Sequence, residues 1–159
     1  MKTIQLTVRK QEVYNEVAKT TSYTGAKMQD DDTAYDRIFT TDSDRSMLER
    51  FWTEACNAAT GQLRKFVVAV SDNSEGSTID LSRDYSVTLE LSSSYDDNMT
   101  ESVQSSLFSF FVSVIVAKWY KFTNKGEAES YAVDALGMMN DVTGKIFHKM
   151  KPRRVVPSP

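Results

Sequence analysis

Apolar and polar residues alternate in several short stretches of the chain, and this pattern predicts β-strands. Over residues 3–8, Ile4, Leu6 and Val8 alternate with polar residues. Residues 85–91 show the clearest alternation in the chain. A side-chain period of two is typical of a strand with one buried face. A shorter run at 79–81 precedes the second stretch closely enough to predict a hairpin, so the three segments together predict a small antiparallel sheet.

Elsewhere the apolar residues recur every three or four positions, which predicts amphipathic helices. The first helix is expected from Lys10 to about Thr21, and the second from Asp44 to about Lys65. The residues just before the second helix are rich in side chains that favour an N-cap. The segment 66–70, FVVAV, follows it and is dominated by β-branched residues. It is therefore also compatible with an extended conformation.

A third helix is predicted to begin near Asn98 and Glu101, which have the spacing of a capping box, and to end near Phe122. Its centre reads LFSFFVSVIVAKWY and is apolar on nearly all sides. Such a helix is typically surrounded by protein. We therefore expect this helix to organise the core.

The fourth helix is expected to run from Lys125 to about Met150, with Asn124 as its cap. Its apolar stripe follows the helical spacing and consists of Ala128, Tyr131, Ala132, Ala135, Leu136, Met139, Val142, Ile146 and Met150. Pro152 cannot continue a helix, because its ring removes a backbone donor and clashes with the preceding turn.

The predicted fold is α+β and helix-dominant: three or four helices around a central apolar helix, with a small antiparallel sheet or hairpin. A chain of 159 residues with 40% apolar residues fits one domain. We assign residues 1–150 to that domain. Residues 151–159 are expected to form an extended C-terminal arm, because they are basic, then apolar, and interrupted by proline.

The net charge of −3 argues against a polyanion binder in which the whole surface takes part. The C-terminal end differs from the rest, because no acidic residue follows Asp141. The basic residues there are Lys145, Lys149, Lys151, Arg153 and Arg154. In one interpretation they stabilise the negative end of the helix dipole and belong to a solvated tail. In the other they belong to an arm that a partner binds.

The sequence offers no positive case for an enzyme, a cofactor site or a metal site. His148 is the only histidine and lies among lysines, which is typical of a helix end, and Cys56 lies in a helical pattern without a nearby base. One cysteine and one histidine are too few for a zinc site. The acidic residues of 30–36 lack the alternating spacing of a calcium loop, and we interpret them as a solvated loop.

The third helix has two interpretations: the central core helix, or in part a subunit interface. Large aromatic residues occupy more than one of its faces, and the interface candidates are Phe108, Phe111, Trp119 and Phe122. Its most apolar run, 107–117, is shorter than the roughly 20 residues that span a bilayer. The start of the chain has no signal-peptide core, so we expect no membrane partner.

Three stretches carry a resemblance to a known family: ERFWTEACNAATGQL in the second helix, AKWYKFT at the end of the third, and YAVDALGMMNDVTGKIFHKMKPRRV in the fourth helix and arm. Together with the order of the predicted elements, they resemble the head–tail connector or adaptor (neck) proteins of tailed bacteriophages and prophages. The sequence style is similar to that of phage-type proteins of gut Bacteroidetes. The first strand departs from the simplest all-helical connectors.

The resemblance implies a non-enzymatic virion protein, made in the bacterial host cytoplasm and located in the neck. Its expected partners are copies of itself in a ring, the portal protein and tail proteins, with DNA at most passing through the lumen. An acidic loop at 30–36 would then meet a basic neighbour or face the lumen. The implied partner-binding arm consists of Lys151, Pro152, Arg153, Arg154, Val155, Val156 and Pro157. Alternatives are a tail terminator or stopper, or a small nucleic-acid-associated domain that uses the basic end.

Overall fold

The computed structural model describes residues 1–27, 40–41, 44–70, 84–152 and 157. The described residues form a helix-dominant α+β fold with a three-stranded antiparallel sheet, which confirms the predicted fold class. In chain order the elements are β1 (Lys2–Val8), α1 (Lys10–Lys27), α2 (Arg45–Leu63), β2 (Val67–Val70), β3 (Tyr85–Leu91), a 3-10 turn (Asp97–Met99), α3 (Thr100–Thr123) and α4 (Lys125–Ile146).

The sheet has the strand order β1-β3-β2, with β3 in the middle. β1 pairs with β3 over its whole length, from Lys2 opposite Leu91 to Val8 opposite Tyr85. The third strand is β2, the β-branched segment after α2, which pairs with β3 through an irregular register. The predicted hairpin partner, 79–81, lies outside the described residues. The described residues therefore form a three-stranded antiparallel sheet in which β2 is the third strand, and the strand at 79–81 stays a prediction.

α3 lies at the centre of the molecule, where it packs against α1, α2, α4 and β1. The ring centroid of Phe111 lies 5.0 Å from that of Trp52 on α2 and 5.1 Å from that of Tyr85 on β3. Ser106, one of the few polar residues of α3, is buried and accepts a hydrogen bond of 2.8 Å from Nζ of Lys145 on α4. Each large apolar side chain that α3 buries against its neighbours contributes roughly 1.5–3 kcal/mol to the stability of the fold.

The start of α3 and the end of α4 differ from the sequence prediction, because local hydrogen bonds determine where each helix begins and ends. The predicted capping box at Asn98 is wrong: a 3-10 turn precedes α3, and the Asp96 carboxylate caps it by accepting the Asn98 N–H at 3.1 Å. α4 ends at Ile146 rather than near Met150. Beyond it the chain pairs with another segment, because Lys149 forms an antiparallel bridge with Tyr95.

A buried ion pair joins α1 to α2. Lys10 is only 5% exposed, and its Nζ donates to the Glu49 carboxylate. Lys10 and Arg45 each lie 5.7 Å from the centroid of the Tyr14 ring, a distance at which cations are attracted to the ring face. Burial and the nearby Glu49 carboxylate raise the pKa of Tyr14, so its phenol stays neutral. The backbone N–H of Lys10 donates to the Asp84 carboxylate at 2.9 Å, which caps α1.

We expect Glu49→Ala to lower the free energy of unfolding by about 3 kcal/mol, because it leaves the Lys10 ammonium buried without its partner. The double variant Lys10→Met with Glu49→Met is expected to lose less than Glu49→Ala alone. Urea unfolding followed by circular dichroism measures both. Glu54→Ala is the control, since the pair of Glu54 with Lys118 is on the surface and should cost less than about 1 kcal/mol. An equal loss for Glu54→Ala and Glu49→Ala would contradict the assignment.

Candidate assembly surfaces

The arm root, which we define as residues 148–150, is bound to the turn before α3. The backbone N–H of Met150 donates to the Ser94 carbonyl at 2.9 Å, and the N–H of Asp96 donates to the His148 carbonyl at 3.2 Å. Lys151 and Pro152 follow and are exposed. Of the predicted arm, Pro157 is also exposed, and residues 153–156 lie outside the described part of the chain. The arm therefore leaves the body at a fixed point.

The same turn also holds the beginning of β1. Nζ of Lys2 donates to the Tyr95 carbonyl at 2.8 Å and to the Asp97 carboxylate at 2.9 Å. Tyr95 is fully enclosed despite its polar hydroxyl. Residues 94–97 thus connect the first strand, the start of α3 and the root of the arm, so that the arm leaves from a well-supported part of the fold.

The residues considered for chemistry do not gather into a site in the described part of the chain. Nε2 of His148 lies 3.7 Å from the Asp96 carboxylate, and the imidazole is exposed just beyond the end of α4. Cys56 is buried in α2. No group of three or more histidine, cysteine, aspartate or glutamate side chains is placed to hold a metal ion among the described residues. The acidic residues of 30–36 lie outside them.

The four interface candidates on α3 separate into two pairs. Phe111 and Trp119 are buried inside the chain, so their side chains cannot form a surface for another subunit, and that part of the prediction is wrong. Phe108 is half-buried and Phe122 is 68% exposed. The Phe122 ring stacks on Phe51 with 6.4 Å between the centroids. The aromatic residues on several faces of α3 therefore mostly pack against other elements of the same chain.

Exposed large apolar side chains concentrate toward the C-terminal end of the described chain. From Phe122 onward they are Phe122, Val133, Leu136, Phe147 and Met150. Leu136, which helical spacing placed in the buried stripe of α4, is 63% exposed, and Val133 is 62% exposed. Leu136 is exposed because α4 packs on α3 along Ala135, Met139 and Val142, and Leu136 lies to one side of that line.

We define the α4 outer face as the ten exposed residues of α4 whose helical positions lie opposite the buried line of Ala135, Met139 and Val142; the exposed Lys125, Glu127 and Ala132 lie at its margins. They are Gly126, Glu129, Ser130, Val133, Asp134, Leu136, Gly137, Asn140, Asp141 and Gly144. The face combines two large apolar side chains with three carboxylates and a line of small residues. None of the three carboxylates forms a salt bridge within the described residues. Sequence reasoning missed this face, although the spacing of the glycines was a readable signal.

The described fold gives no packing reason for the glycines in this face. A Cβ atom added at Gly137 or Gly144 would meet nothing within 4 Å. Glycine in the middle of a helix costs roughly 0.5–1 kcal/mol relative to alanine. Gly137 and Gly144 therefore leave the backbone of α4 uncovered by side chains at two exposed positions, at some cost to the stability of the helix.

One helical segment, Asp97–Thr123, is long and apolar enough to cross a membrane by length and composition alone. Of its most apolar window, 44% is buried inside the chain. This segment contains α3, and a central core helix has the same composition.

Comparison of the chain with protein-family models, with curated proteins and with solved structures gave no match. The surfaces described above must therefore be interpreted from the geometry and chemistry of this chain alone.

We expect Gly137→Ala and Gly144→Ala each to raise the free energy of unfolding by roughly 0.5–1 kcal/mol, because alanine favours a helix and its methyl group has room. Ala132→Gly is the matched control: Ala132 is exposed on α4 beside the outer face, and we expect a loss of similar size. Urea unfolding at low protein concentration measures all three. A destabilising Gly137→Ala would mean that another part of the chain packs against Gly137.

Proposed function

We propose that this protein is a non-enzymatic structural component of the neck of a tailed phage or prophage. In this role it forms a homo-oligomeric ring that joins the portal to the tail around the DNA channel, as a head–tail connector or adaptor. The resemblance in the order of the predicted elements and in the sequence style motivates the proposal. The helix-dominant body with a separate, fixed arm root is compatible with it. A tail terminator or stopper would use the same kinds of surface and partner.

The observation that carries the proposal is that four large apolar side chains of α4 and of the segment after it are exposed. Val133 and Leu136 lie on the α4 outer face, Phe147 lies next to the arm root and Met150 lies within it. Single exposed apolar residues are normal on a protein surface; what supports the proposal is that four of them occur along one helix and the segment after it, where a neighbouring subunit would cover them. A ring subunit has such surfaces, because each copy covers part of its neighbour.

The alternative of a nucleic-acid-associated domain receives less support from the same region. Nζ of Lys145, the first basic residue of that end, donates to Ser106 in the contact between α3 and α4. The neighbouring α4 outer face carries three carboxylates, which repel phosphate. Among the described residues after His148, the exposed basic side chains are Lys149 and Lys151.

The test is the mass in solution of the full chain and of a chain that stops at Met150, measured by size-exclusion chromatography with light scattering. Both are run alone and mixed with a candidate portal protein from a neighbouring reading frame. We expect a ring or a portal complex for the full chain and its loss in the shortened chain, because the arm is expected to join subunits. The shortened chain should keep its helical circular dichroism, since Met150 is the last residue of the arm root.

A full chain that stays monomeric at high concentration, and that binds no portal protein, would contradict the proposal. In that case titration with duplex DNA at increasing salt concentration tests the alternative, because binding through phosphate contacts weakens steeply with salt.

A further inference from the structure

We propose that the α4 outer face is the docking site for the C-terminal arm of a neighbouring copy, so that the copies associate head to tail. The inference rests on the proposed function in one respect, namely that the chain assembles with copies of itself. The inference goes beyond the proposed function because it names the surface that binds the arm and the way in which the contact repeats around a ring.

The charges of the two surfaces are complementary. The α4 outer face contains Glu129, Asp134 and Asp141 and no basic residue among its ten. The arm, 151–159, contains Lys151, Arg153 and Arg154 and no acidic residue. Because none of the three carboxylates has a salt-bridge partner within the described residues, they remain available to a partner. Opposite charges that face each other across an interface favour the correct partner and its register.

Both surfaces also contain apolar residues. Val133 and Leu136 are exposed on the face, and the arm contains the adjacent pair Val155 and Val156. Gly137 and Gly144 have no side chains, so the backbone of an extended segment can approach the helix closely at these two positions. Proline at 152 and 157 disfavours a helix in the arm and favours an extended segment.

Residues 151–159 are long enough to reach along the face. The face extends from Gly126 to Gly144, which is about 27 Å along a helix at 1.5 Å per residue. Nine extended residues span at most about 30 Å.

The arrangement also selects a head-to-tail contact over a two-fold one. A two-fold contact between two α4 outer faces would bring carboxylates against carboxylates, which is unfavourable. When the arm of one copy lies on the face of the next, every copy uses one arm and one face. Such heterologous contacts form a closed ring if the rotation between neighbours closes, and a filament if it does not.

A charge exchange between the two surfaces tests the inference. The arm variant carries Arg153→Glu with Arg154→Glu, the face variant carries Asp134→Lys with Asp141→Lys, and the exchange variant carries all four substitutions. The control is Glu12→Lys with Glu16→Lys on α1, which reverses two charges whose only described ion pairs are long, at 3.7 and 3.9 Å. Dilution series in the analytical ultracentrifuge give the dissociation constant of each, and circular dichroism verifies that each is folded.

We expect the arm variant and the face variant each to weaken self-association at least about tenfold, and the exchange variant to restore most of the lost affinity. The control should leave the affinity within about threefold of the unmodified chain. If the face variant does not fold, Val133→Ser with Leu136→Ser tests the same surface without a change of charge, and we expect it to weaken association similarly.

Three results would overturn the inference. If the arm variant weakens association but the face variant does not, the arm binds elsewhere on the neighbour and the proposed function still stands. If the exchange variant is weaker than either parent, the two surfaces do not face each other. If the unmodified chain does not associate at any concentration or with the portal protein, the inference and the proposed function both fail.

Discussion

The enclosure of α3 is the constraint on which the rest of the structure depends. This helix is apolar on nearly all sides, so the other elements must surround it. α1, α2, α4 and β1 pack against it, and Phe111 connects it to α2 and β3. Because α4 uses one side for this contact, its opposite side faces solvent. The α4 outer face is therefore a direct consequence of the way in which the core is closed.

The position of the arm follows from the same closure. α4 ends beside the turn that starts α3, and there Met150 bonds to Ser94 and Lys149 bridges to Tyr95. Lys2 ties the first strand to the same turn. A segment that leaves from such an anchored point begins in a defined place on every subunit. Less orientational freedom is then lost when it binds a neighbour, and this favours assembly.

The sequence was sufficient to predict the type of most elements, because their periodicity is a direct result of burial on one face. It did not reveal the pairing of the sheet, since the third strand is the β-branched end of the α2 region, and propensity alone left that segment ambiguous. It also missed Asp96 as the capping residue, because a 3-10 turn shifted the start of α3.

The candidate site could be predicted only in part. The arm was visible as a basic segment with prolines, but its receptor was not, because Leu136 fits a buried stripe by spacing and only the packing angle of α4 exposes it. Phe111 and Trp119 show the opposite case, since nothing in their spacing distinguishes a core aromatic from an interface one. Which face of an apolar helix is covered depends on tertiary packing.

The central claim is that the arm of one copy binds the α4 outer face of the next. The most direct measurement mixes two variants: a chain that stops at Met150, which has a face but no arm, and the chain with Asp134→Lys and Asp141→Lys, which has an arm but a reversed face. The concentration is set between the dissociation constant of the unmodified chain and those of the variants. In the ultracentrifuge each variant should then be monomeric alone, and the mixture should form one-to-one dimers and nothing larger, because only one unmodified contact is possible. A mixture that stays monomeric, or that forms large assemblies, would contradict the account.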